Sequence, residues 1–457
     1  MKNISSKRLG EQKIVTLLFK LSTPAIIGML IQALYNVVDS IYIGRLSTKA
    51  LAALSLTFPV QMILISISVG TGIGANSLIS RLLGKGDKKS ANNTAEHVVI
   101  ISIIYGIITA ILGLFLSDKI LKFFTEDQVL IQLGTSYIRI IMLGSIAMYI
   151  PIIFNNILRG EGNTFIPMIC MLIGAITNII LDPFMIFGIG FFPKLGVEGA
   201  AYATIIARFI SGIFITIVLL SDKNEVKLNL KYFEWDKSIV KKIYKVGFPA
   251  MLMQLLASVM IGGMNKIVIR FDKVALAVVG IFFRLQSFVF MPVFGLNQGY
   301  IPIVGYNYGH NNPKRMKKTI IYGMFIGFVF TTLGFILFQF FPNQLISLFN
   351  DDKELLRLGV VALKRISITF PIVGISIVGS ATFQALGKGM PSLIISFMRQ
   401  IVVLLPTMYF LGEIFGLNSL WYAFPISEVL TFIVILFWLR KTVKKDIKKM
   451  NEDFKIS

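Results

Sequence analysis

The chain has 457 residues, of which 55% are hydrophobic and 15% charged, against roughly 25% charged in an ordinary soluble domain. Its formal charge of +22 would suit nucleic acid in a soluble protein, but no basic run is interleaved with base-stacking aromatics, so a nucleic-acid partner is set aside. Cys170 is the single cysteine and lies in an apolar stretch, which excludes a disulfide framework.

Runs of about 20 apolar residues mark membrane-spanning helices. Twelve are predicted, at 13–43, 50–82, 95–117, 129–157, 164–189, 197–221, 240–270, 275–305, 317–341, 354–384, 391–412 and 418–440. The apolar run of the first is too long for a cleavable signal peptide and has no cleavage site, so none is expected. Basic residues gather on one side of these spans. They are Lys2, Lys7, Arg8 and Lys13 at the start, Lys85, Lys88 and Lys89 after the second span, and Arg159 after the fourth. The stretches 223–242 and 314–318, Lys388 and the tail from Arg440 to Lys455 complete the set. By the positive-inside rule this is a multi-pass protein of the cytoplasmic membrane with both termini in the cytoplasm, its basic face turned to anionic lipid.

The chain repeats itself. A shift of 225 residues pairs Pro24 with Pro249, Arg45 with Arg270, Gln61 with Gln286, and Gly70, Gly74 and Gly84 with Gly295, Gly299 and Gly309. Apolar composition yields chance leucine matches, but not this many glycine, proline, glutamine and arginine matches. The expected fold is all-α, with twelve transmembrane helices in two pseudo-symmetric six-helix bundles. Residues 1–221 form the first lobe, 222–239 a cytoplasmic linker, and 240–457 the second lobe with its basic tail. Six is even, so the copies enter the membrane from the same side as parallel repeats, an architecture of secondary transporters.

Charge inside a span needs a reason. An aspartate at the bilayer centre costs roughly 2.5–3.5 kcal/mol on insertion scales, yet LYNVVDSIYIG carries Asp39 in the first span. Gln32, Asn36 and Asp39 share one helical face. In NIILDP, Asn178 and Asp182 are four apart, as are Thr204 and Arg208 in the sixth span. Converging carboxylates raise one another's proton affinity, and the same oxygens suit a hard cation such as Na⁺. The structural alternative is that Asp39 and Asp182 pair with Arg139 or Arg208. In the second half, Arg284, Met291 and Gln298 recur every seven residues along one stripe. Abundant Met and Phe point to a roomy, adaptable cavity for aromatic and cationic ligands. GTGIGA at 70–75 has no preceding strand and serves close helix packing rather than nucleotide binding. Two histidines and one cysteine without clustered ligands leave no transition-metal site, and no cofactor is expected.

With LYNVVDSIYIG, NIILDP followed by GVEGAAYAT, and MPVFGLNQGYIPIVGYNYG on the page, the chain resembles the multidrug and toxic compound extrusion (MATE) family, most of all its MepA-type bacterial branch. The resemblance implies a two-lobed exporter of small-molecule drugs, cationic and aromatic, in exchange for H⁺ or Na⁺. It implies a cation-coupling site at Asp39, Asn178, Asp182 and Thr204, which is also where Na⁺ would sit. Tyr35, Asn36, Gln61, Tyr137 and Asn155 are expected on the substrate cavity with Arg284, Met291 and Gln298, and Pro24 at a bend of the first helix. Asn265 and Lys266 stand where another branch carries a C-lobe carboxylate. A monomer without enzymatic activity is expected. Rival readings are a flippase for lipid-linked oligosaccharide, which needs a strongly cationic cavity from residues such as Arg284 and Arg399, and an exporter of one metabolite. An enzyme acting on polyprenyl lipids would need clustered acidic metal ligands at the membrane surface, where the loops are basic.

Overall fold

The computed structural model describes residues 6–190, 192–349 and 352–456; Lys2 lies outside them. Nearly everything described is helical, because apolar runs in a bilayer must satisfy every backbone group within the segment. A short α1 (Arg8–Glu11) leads into α2 (Ile14–Leu46), α3 (Thr48–Gly84) and α4 (Lys88–Phe124). Then come α5 (Gln128–Leu143), α6 (Ser145–Gly160), α7 (Phe165–Phe187) and α8 (Val197–Leu220). The second half holds α9 (Lys237–Val268), α10 (Lys273–Gly309), α11 (Pro313–Phe340), α12 (Pro342–Ser347), α13 (Lys353–Ser367) and α14 (Phe370–Ala385). It ends with α15 (Gly389–Phe397), a π-helical stretch from Met398 to Leu404, α16 (Leu405–Phe415), α17 (Leu417–Leu420) and α18 (Ala423–Ile456).

Among the described residues, ten helices, or runs of helices, are long and apolar enough to cross a membrane, or up to twelve if two bent pairs each count as one. Those pairs, α5 with α6 and α13 with α14, occupy the fourth place of each half, and each is bent by 53°. The caps repeat with the helices. Ser47 accepts from Ala50 N at 2.9 Å and Asp272 from Ala275 N at 3.4 Å. Asp87 and Asn312 each accept the backbone N–H three residues on at 3.0 Å. Asp127 accepts from Leu130 N and Asp352 from Leu355 N, at 3.3 and 2.9 Å. Each pair of caps is separated by the repeat's shift. The orphan N–H groups of a helix start need such acceptors, so the duplication kept residues for their hydrogen bonding.

One core runs through both halves at the end that carries the termini, joining Leu17, Ile79, Ile243, Ile303 and Ala385. Toward the opposite end the second half has its own core around Phe282, Phe338, Phe370 and Trp421. The seam at the shared end is built on glycine. A Cβ on Gly70 would stand 2.6 Å from the Gly247 carbonyl oxygen, and one on Gly247 would stand 2.8 Å from that of Gly70. Gly74 packs in the same way against Ile243, Gly295 against Ile26 and Gly299 against Leu21. Gly70 and Gly74 of GTGIGA therefore serve the approach of helices from opposite halves, while Gly72 packs on Asn156 of α6 in its own half.

The stretch 222–239 does not hang free between the halves. Lys227 N donates to Asn92 at 2.9 Å, Asn229 N to Glu96 at 2.8 Å and Asp236 N to His97 Nε2 at 2.8 Å. These acceptors lie on one face of α4, so the connection is docked on the first half. Glu161, capping the end of α6, takes the N–H groups of both Glu225 and Val226 at 3.0 Å.

Candidate functional site

Helices α2, α7 and α8 bring the polar residues of the first half together. Asn178 and Asp182 sit one turn apart on α7, 2% and 0% exposed. The Asn178 amide donates to Asp182 Oδ1 at 3.2 Å and to Thr204 Oγ1 at 3.4 Å. Asp39 of α2 closes the group, its carboxyl near that of Asp182, with Arg208 acting on it through space. Tyr35, a turn earlier on α2, lies near Thr204. Neither carboxylate closes an ion pair with Arg139 or Arg208. Three buried oxygens of the group, Asp39 Oδ1, Asn178 Oδ1 and Asp182 Oδ2, meet no donor among the described residues. Buried polar atoms are seldom left so, and hard oxygens of this kind suit a proton or a hard cation. Among the described residues no three of His, Cys, Asp or Glu gather as a metal site.

Asn178 and Thr204 are shared with a cavity of about 450 Å³ between the halves, within the range that holds a drug-sized ligand. Of the residues the sequence assigns to it, Tyr35, Asn36, Asn155, Met291 and Gln298 line the wall. Tyr137 does not. It is 4% exposed in the core behind the wall, near Asp39 and Tyr35. Gln61 is half-buried on α3 and donates back to Thr57 Oγ1 at 3.1 Å instead. Arg284 is exposed and off the wall. At about 1.5 Å of rise per residue it stands about 10 Å further along α10 than Met291, above the cavity rather than in it.

The wall also holds residues that sequence reasoning did not assign to it: Met29, Met148, Asn156, Arg159, Met171, Arg208 and Gln254. Arg159 is the main correction. It is not a loop charge but is 9% exposed at the cavity floor, donating to Gln298 Oε1 of the other half at 3.1 Å. Its spacing of four from Asn155 held the signal, since those residues share a face of α6. Neither Asp39 nor Asp182 lines the cavity; both lie behind Asn178 and Thr204. A second hollow, about 680 Å³, opens on the outer face of α18 by Lys388, Trp438, Lys441 and Lys445, apart from the polar group. In the second half, Arg399 is held by Glu428 at 3.4 Å.

Two pseudo-symmetric halves around a polar cavity at membrane depth define a multi-pass membrane protein built as a secondary transporter. The MatE family profile matches residues 24–184 and 249–410, and the chain belongs to that family. The second match begins 225 residues after the first, the shift of the internal repeat. Among curated relatives, the chain is 29% identical to multidrug export protein MepA of Staphylococcus aureus, over 94% of this chain and 95% of the relative. It is 28% identical to an FAD transporter of Shewanella oneidensis, over 95% and 96%. Among solved structures, MATE in its bent conformation superposes with a TM-score of 0.92 at 28% identity, covering 99% of this chain and all of that one.

Proposed function

We propose that the protein is a multidrug exporter that moves cationic and amphipathic aromatic compounds out of the cytoplasm by antiport with H⁺ or Na⁺. It does so in the cytoplasmic membrane, with both termini inside, and without enzymatic chemistry. The observation that carries this reading is shared use of Asn178 and Thr204, which line the cavity and also belong to the carboxylate group.

A proton on one carboxyl would let Asp39 and Asp182 share a hydrogen bond, and an arriving Na⁺ would take that proton's place among the donorless oxygens. Either event rearranges the side chains that a substrate also needs. Substrate and ion then compete, and each stabilises a different state, as coupled exchange requires. Pro24 leaves the α2 backbone one hydrogen bond short beside the seam with α10, which is where this helix would bend. The MepA relative supports a polyspecific exporter; the relative called an FAD transporter makes export of one metabolite the second reading.

The test is transport in proteoliposomes under separate H⁺ and Na⁺ gradients, with ethidium and a flavin as alternative cargoes. Movement of cargo against one imposed ion gradient supports the reading and names the ion. No gradient-driven movement of either cargo would sink it.

A further inference from the structure

The cavity floor holds a charge that no carboxylate among the described residues neutralises. Arg159 is 9% exposed, in the last turn of α6. Its Nη1 donates to the neutral Gln298 amide at 3.1 Å, its Nη2 faces Met171 Sδ at 3.9 Å, and its buried Nε has no acceptor. The one titratable group acting on it is the Cys170 thiol. Arg399 closes on Glu428 and Lys388 on Asp446 at 2.6 Å, and Arg81, which also closes no ion pair, at least donates its Nε to the Ser77 carbonyl at 2.9 Å. The carbonyl end of α6 offsets only about half a charge. A guanidinium carries five donors in a planar fork, and a buried one is costly unless an anion meets it. Arg208 adds a second cation to the wall, which carries no carboxylate at all.

We propose that Arg159 is the anion anchor of this cavity, and that the substrate is an aromatic molecule bearing a phosphate or carboxylate. The acid group takes the guanidinium fork, which matches two oxyanion oxygens at once. The apolar frame lies against Met148, Met171 and Met291, side chains soft enough to fit varied rings. Gln298 is neutral and belongs to the other half, so an arriving oxyanion replaces a link between the halves with a stronger contact on one of them. The proposal rests on the transport reading and narrows its substrate class away from purely cationic compounds.

Flavin mononucleotide and riboflavin differ by one phosphate. Their binding to the full chain in lipid nanodiscs, read by flavin fluorescence without any ion gradient, isolates that group. Wild type is expected to prefer the mononucleotide by about tenfold or more, the scale of a charge-assisted hydrogen bond. Arg159→Gln should erase the preference and Arg159→Lys should keep part of it. Equal binding of the two flavins by wild type, or binding of neither, overturns the proposal without recourse to any variant. So does a preference that survives Arg159→Gln. Displacement of the mononucleotide by a polyprenyl phosphate but not by phenyl phosphate would also overturn it, in favour of a lipid substrate. Because no gradient is present, a failed antiport assay leaves this result standing, and the reverse holds too.

Discussion

Asn178 and Asp182 stand one helical turn apart on α7, and the amide of the first donates to the carboxylate of the second at 3.2 Å while also holding Thr204. That geometry orients one oxygen of Asp182 and leaves the other without a donor among the described residues. Replacing Asp182 or Asp39 by Asn keeps the shape and removes a charge that an ion must meet. Each variant should insert normally and lose gradient-driven export by about tenfold or more, about 1.4 kcal/mol of coupling. Each should also melt higher, because a buried charge kept for function costs stability. Variants that export like wild type would make the carboxylates structural.

The seam makes a second prediction. Gly70 and Gly247 approach so closely that a side chain on either would meet the other's carbonyl. Gly70→Val must push α3 and α9 apart or strain them, at about 1–3 kcal/mol. The expected result is a lower melting temperature and a longer spin-label distance between α3 and α9 at the terminal end. Gly86 has no neighbour within 4 Å, yet its φ of +77° favours glycine, so a matched control belongs at Gly262, which has open space around it. An unchanged distance in Gly70→Val would mean that the seam is not set by glycine.

What the sequence made legible follows from which signals are local. Span positions came through because hydropathy is summed over a segment, and the duplication because glycine, proline, glutamine and arginine recur at one shift. Asn178 with Asp182, and Asn155 in the wall, were readable because three- and four-residue spacing fixes a helical face. Arg159 was not, because a charge at a span's end looks like a loop charge until the partner half is seen folding over it. Tyr137 and Arg284 failed for a related reason. Spacing gives the face of a helix, but depth along it and the thickness of the wall depend on packing. The clamp of 222–239 onto Asn92, Glu96 and His97 has no sequence period at all.

That clamp responds to pH through Glu161. Burial pushes its carboxyl up to about 7, against two backbone N–H donors and the pull of Arg8, with Glu225 nearby raising it further. Glu225 itself is tied to Lys88 at 3.2 Å. A carboxyl whose value is raised on docking favours the docked state while protonated. That contribution is full below the ordinary carboxylate range and is lost as pH rises through about 7. Amide exchange at residues 225 and 226, corrected for intrinsic rate, should therefore be faster at pH 8 than at pH 6. Glu161→Gln should flatten the difference. Equal protection at both pH values in wild type would rule the carboxyl out as the cause.

Arg399 and Glu428 give the last prediction. Their 3.4 Å contact joins the π-helical stretch to α18, with the side chains 25% and 14% exposed, and Glu428 Oε2 has no partner. π-Helical insertions persist where something holds them, and this pair is the ionic tie across that one. Removing one member strands the other's charge in an apolar setting, whereas removing both strands none. Arg399→Leu alone should destabilise by about 2–3 kcal/mol, somewhat under the usual range for a buried pair because this one is partly exposed. Arg399→Leu with Glu428→Leu should recover most of that loss. Thermal melts of the four proteins in one detergent close the cycle. A double variant no better than Arg399→Leu would mean that the pair contributes through specific geometry rather than by cancelling charge.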